Sequence, residues 1–324
     1  MHNRRFALLF VAPIAIVLTS MMLTRICRYP LVSQVSANEV DSHQVEFLNE
    51  VFSDSSIVEG MEEACLNSSL ALKEQLGSKC SVVVHSPFVI GGDMTPQELN
   101  RWYRRTIRPT SKAMHDEYFV TQPQEPIRVL LFRNAESYDH YSYALFGDRY
   151  LSVYGYFRPV ERTLLVNVST GSGSLVHELT HALMEDDFPT APPWLQEGLA
   201  SLHEQATVIH DHDHLRLRGK LNWRLHRLQT ALAKGQLEPI QSILSTDTLR
   251  DHQEPLNYAC ARYLCLYLQE QDVLAAFYHA FRDQGIDADP SGRETLKSLL
   301  GETQFASLHH DYSLWIDELT PEGP

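Results

Sequence analysis

Cysteine is scarce in this chain. Five in 324 residues cannot staple a domain of this size, so the fold has to rest on a hydrophobic core. The composition supports one, with 44% apolar and 10% aromatic residues. Positive charge is short as well. Lys and Arg number 27 against 41 Asp and Glu, for a formal net charge of −14. Such a body offers little of the basic surface that phosphates attract, which argues against a nucleic-acid partner. Neither an internal repeat nor a coiled-coil heptad is evident. Long apolar runs are missing with one exception, the uncharged stretch Phe6–Leu23, flanked by Arg4 and Arg5 before it and by Arg25 and Arg28 after it.

As a helix that stretch would span about 27 Å, close to a bilayer core of roughly 30 Å. The nearest small-residue cleavage pattern, Val35-Ser36-Ala37, lies well past it, and Arg25 and Ile26 spoil a lipoprotein site at Cys27. Residues 1–30 therefore read as an uncleaved signal anchor: the membrane is a partner through this segment, and the body is exported to the periplasmic or extracellular side. Secretion after cleavage is the alternative. Residues 31–80 read as a juxtamembrane tether with short helices, one or two of them over 57–76 ending at Gly77. In an exported body Cys65 and Cys80 could pair, whereas Cys260 and Cys265 read as buried free thiols.

The remaining pattern predicts an α+β fold, a small mixed β-sheet with helices (81–200) followed by a mostly helical part (201–324). Strands are expected over 80–90, 126–132, 154–157 and 162–168. Thr95 and Pro96 are placed to open a helix running to about Tyr118, and Asn134 to Phe146 reads as another. Further helices are expected at 175–185, 194–206, 221–234, 256–271, 272–283 and 293–300.

His177-Glu178-Leu179-Thr180-His181 sets two imidazoles one helical turn apart, able to reach one metal ion from one face, with Glu178 aimed at a water on that ion. A chain with 16 histidines can produce such a pentapeptide by accident, so the weight falls on the residues C-terminal to it. Phe188-Pro189-Thr190-Ala191-Pro192-Pro193 has to be a turn. Pro193 then opens a second helix, antiparallel to the first, which carries Glu197 back towards the histidines. Gly198 and Ala200 let the two helices approach. Two histidines and a glutamate leave one position open, as a catalytic zinc site requires.

These two motifs, His177 to Leu183 and Pro193 to Ala200, resemble the short-spaced gluzincins, the peptidase MA-like relatives of thermolysin, and the similarity extends over roughly 82–285. The resemblance implies a zincin-like fold, one Zn2+ bound by His177, His181 and Glu197, and Glu178 as catalytic base in peptide hydrolysis. In thermolysin-type members an Asp four residues after the glutamate ligand supports a zinc histidine; here that position is Ser201. Tyr258 is a candidate oxyanion donor, with a core or rim aromatic as the equal alternative, while Tyr263 is expected in the core. The strand Leu164–Val168 is a candidate sheet edge for an extended peptide or protein substrate, with Gly171 and Gly173 turning the backbone beside the cleft. His203, His210, His212 and His214 read first as a solvated surface loop and second as another metal site or a pH-sensitive flap. Trp223 reads as a packing anchor. Two rival functions remain: a non-catalytic zinc-binding envelope protein, and a zinc hydrolase of non-peptide amides.

Overall fold

Residues 55–149, 152–245, 248–250 and 253–320 are described by a computed structural model. The run Phe6–Leu23 and the expected signal anchor lie outside them. Among the described residues no helix is long and apolar enough to cross a membrane.

The segment expected to start a strand at Cys80 holds Pro87, which cannot donate to a ladder. It folds as a hairpin instead, with β1 (Ser81–His85) antiparallel to β2 (Phe88–Gly92). Strand β3 (Ile127–Phe132) pairs parallel to β2, β5 (Thr163–Asn167) pairs parallel to β3, and β4 (Gly155–Arg158) closes the far side antiparallel to β5. The order is β1-β2-β3-β5-β4, so β5 is interior and β4 is the edge. That reverses the expectation that Leu164–Val168 would be the exposed strand. With β3 on one side of β5, the intervening β4 is left only the outer flank.

Central strands buried on both faces need cover on both. Leu130, Phe132 and Leu165 point to a smaller core with Cys65, Leu72 and Leu76 of helix α1 (Ser55–Leu76) and Tyr138 of α4 (Ala135–Phe146). Val129, Leu131, Leu164 and Val166 face the main core and its helices. Between the hairpin and β3 runs the helix opened by Thr95. Its capping box is formed, with the Glu98 amide donating to Thr95 Oγ1 at 3.3 Å and the Thr95 amide donating to Glu98 Oε2 at 2.9 Å. The helix passes from α2 (Pro96–Trp102) through a π turn (Tyr103–Ile107) into α3 (Arg108–Glu117).

After the sheet come α5 (Ser172–Asp187), α6 (Pro193–His203), α7 (Leu225–Ala233), the short α8 (Ile240–Leu244), α9 (Glu254–Glu270), α10 (Leu274–Gln284) and α11 (Arg293–Glu318), which kinks at Gly301. Helices interrupted by the hairpin of β6 and β7 make this half mostly helical. The hairpin, β6 (Ala206–Asp211) and β7 (His214–Gly219), occupies the stretch expected to be a histidine-rich loop. It is fastened to the acidic end of α3: the Leu215 amide donates to Asp116 at 2.7 Å, and Arg218 pairs with Glu117 at 2.8 Å.

Two smaller expectations change. Gly198 serves the contact between α6 and α9, not that between α5 and α6, since a Cβ there would lie 2.7 Å from Cys265 Sγ and 2.8 Å from the Ala261 carbonyl oxygen. Cys65 and Cys80 share the smaller core as free thiols, and Cys260 and Cys265 are free and buried as expected.

Candidate metal centre

Helix α5 is fixed by the apolar side chains of Leu175, Leu179, Ala182 and Leu183, all at or near full burial. That leaves His177 and His181, one turn apart, on its remaining face with their Nε2 atoms 3.2 Å from each other. The proline turn sends α6 back alongside. Its start is held by Trp194, fully buried, whose indole donates to the Ser291 carbonyl at 3.0 Å. One turn on, Glu197 Oε2 stands 3.4 Å from His177 Nε2 and 3.6 Å from His181 Nε2.

Ligand atoms about 2.0–2.2 Å from a tetrahedral zinc stand roughly 3.3–3.6 Å from one another; the three separations here are 3.2, 3.4 and 3.6 Å, two within that range and one just under it. Glu197 Oε2 is buried with no hydrogen-bond partner, as expected of an atom that a cation would satisfy. These three residues are the one group of histidine, cysteine and carboxylate side chains among the described residues whose ligand atoms converge in this way. The cluster could hold a metal ion.

Its electrostatics follow from burial against pairing. Burial opposes a charge on His177, but the carboxylates of Glu197 and Glu204 outweigh it and push the imidazole up to about 10. Burial likewise disfavours the Glu197 carboxylate, yet the two histidines hold it far below the usual range. A cation replaces that proton charge when it binds. Glu178 is buried, and desolvation raises its pKa against the pull of His177 and His181. Its carboxylate lies beside β4, where the backbone at Phe157 favours the charged form, and Gly155 on the same strand leaves it room, since a Cβ there would come within 3.3 Å of Glu178 Cγ.

Tyr258, in the first turns of α9, reaches the cluster. Burial, followed by the Glu197 charge, pushes its hydroxyl up to about 12 against the pull of Arg250, so it keeps its proton at neutral pH. Tyr263 is fully buried, accepting from the Asn222 amide at 3.0 Å, and belongs to the core as expected. His203 is buried away from the cluster. His210, His212 and His214 lie on the β6–β7 hairpin, and their ligand atoms form no converging group.

The cluster opens into a cleft of about 1390 Å³ walled by β4 on one side and by α5, α6 and the start of α9 on the other. Gly173 lines it, as does Trp223, which is 67% exposed with the Arg224 guanidinium 4.2 Å from its ring centroid. Trp223 is therefore a cleft-rim residue, not the packing anchor its sequence context suggested.

Sequence reasoning missed one partner of the cluster. Ser201 is fully buried and its hydroxyl has no hydrogen-bond partner, so it does not support a histidine. Glu204 stands there instead, with Oε2 3.5 Å from His177 Nδ1 and Oε1 bonded by Arg224. The signal was available: seven residues after Glu197 is two helical turns, which returns to nearly the same face.

No protein-family model matches this chain, and no curated protein matches it.

Proposed function

We propose that this protein is a zinc-dependent peptidase of the zincin type, similar to the short-spaced gluzincins. One observation carries the reading: three ligand atoms at tetrahedral-zinc spacing, with the buried carboxyl of Glu178 held beside them under an open sheet edge. His177, His181 and Glu197 would hold the ion. Bound zinc supplies Lewis acidity, lowering the pKa of water to about 7 and polarising a carbonyl.

The protein's own groups do the rest. Glu178, its basicity raised by burial, accepts the proton of the attacking water and returns it to the leaving amine. The Tyr258 hydroxyl donates to the oxyanion as charge develops on the carbonyl oxygen. Strand β4, whose outer side pairs with no other strand among the described residues, takes an extended peptide by backbone hydrogen bonds and presents it across the cleft. Anchoring through the N-terminal segment would keep this activity at the membrane, with the body on the exported side.

Incubating a peptide library with the wild type and with Glu178→Gln tests the proposal. Zinc-dependent cleavage is expected from the wild type, and a rate lower by roughly 10²–10⁴-fold from the variant at unchanged zinc content. A zinc-loaded wild type that cleaves no peptide, or a variant as active as the wild type, contradicts it.

A further inference from the structure

A metal-binding imidazole is held in one tautomer and one orientation when its other ring nitrogen donates to a fixed acceptor. For His177 that nitrogen is Nδ1, and Glu204 Oε2 stands 3.5 Å from it, within ion-pair reach though outside hydrogen-bond geometry. Glu204 is not one of the converging ligand atoms; it stands behind His177, on the opposite side of the ring from the metal position.

The Glu204 carboxylate is itself fixed. Its Oε1 accepts from Arg224 Nη1 and from Asn222 Nδ2, the latter at 3.3 Å. The side chains of His177, Glu204 and Arg224 are only 16%, 18% and 12% exposed, so this is not a solvated surface pair. The segment that carries Asn222 and Arg224 is tied in turn to α9. Arg262, fully buried, donates to the Lys220 carbonyl at 2.6 Å, and the Tyr263 hydroxyl accepts from the Asn222 amide at 3.0 Å. The close approach of the two helices depends on Gly173. A Cβ at that position would lie 2.6 Å from the Glu204 carbonyl oxygen, so any larger residue at 173 would push away the end of α6 that bears Glu204.

We propose that Glu204, locked by Arg224 and Asn222, is the positioning residue that orients His177 as a metal ligand. This rests on the proposed zinc site and extends it to a chain of contacts, from the core of α9 through the 220–224 segment to one ligand. Ser201 takes no part. Burial gives the bonds from Arg224 and Asn222 to Glu204, and the charge pairing of Glu204 with His177, more weight than they would have in water.

Zinc affinity of the full-length protein, measured by competition with a chromophoric chelator, tests the role without relying on activity. Glu204→Gln is expected to weaken zinc binding by roughly 10–100-fold, and Ser201→Ala to leave it unchanged. Because Glu204→Gln strands Arg224, the double variant Glu204→Gln/Arg224→Gln separates positioning from stability: the weakening persists in it if Glu204 orients His177. Wild-type affinity in either Glu204 variant overturns the positioning role while leaving the metal site standing. A wild type that takes up no stoichiometric zinc overturns the metal site as well.

Discussion

His177 on α5 and His203 at the end of α6 are both buried, yet their surroundings drive them in opposite directions. His177 faces the carboxylates of Glu197 and Glu204, which overcome desolvation and raise it to about 10. His203 meets the Tyr118 ring at 5.4 Å and lies near the Arg262 guanidinium; both its ring nitrogens lack partners, and burial with that positive charge pushes it down to about 3. Burial alone does not make a histidine a candidate ligand. What separates the two is whether acidic groups converge on the ring.

The largest effects should fall on the acidic side of this comparison. Glu197→Ala is expected to abolish stoichiometric zinc and with it all hydrolysis, whereas His203→Leu should keep both; metal analysis of the two purified variants decides it. Loss of zinc in His203→Leu would erase the distinction between the two environments.

Acid stability sharpens the contrast. His203 has its folded pKa depressed below the ordinary 6.5, so the unfolded chain binds more protons between those values. Its contribution is complete above pH 6.5 and is lost as pH falls towards 3, amounting to about 5 kcal/mol over the whole range and about 2 kcal/mol by pH 5. The wild type should lose that much more stability than His203→Leu between pH 7 and pH 5 in urea unfolding. His177 has the opposite sign. In the metal-free protein its stabilisation is complete below pH 6.5 and fades as pH rises towards 10.

Smaller effects are expected where the same helices pack. Gly198→Ala should destabilise the protein by about 1–3 kcal/mol, because the added methyl meets Cys265 and Ala261. Chemical denaturation reads this directly. Trp223→Ala should change stability by less than about 0.5 kcal/mol, since the ring is mostly exposed, while raising KM for peptides that reach the cleft rim. A large drop in melting temperature would return Trp223 to a packing role.

Local chemistry made much of the site legible from residue order alone. The i, i+4 histidines, the proline turn and the Thr95 capping box are set by neighbours in the chain, and all appear where their spacing put them. What was not legible depends on partners far along the chain. Nothing in residues 154–168 says which strand of that hairpin lies outermost, because the answer comes from β3 claiming β5 as its parallel neighbour. The run from Ala206 to Gly219 hid its strand alternation, with Val208, Leu215 and Leu217 turned inward, beneath a polar tip of histidine and aspartate. Glu204 looked like an ordinary charge at a helix end until Arg224, twenty residues later, closed over it.

Zinc content of the full-length protein after exhaustive dialysis is the measurement on which the metal centre stands or falls. One zinc per chain is expected in the wild type and in Glu178→Gln, and none in Glu197→Ala. No zinc in the wild type, or equal zinc in wild type and Glu197→Ala, would contradict the assignment of His177, His181 and Glu197 as its ligands.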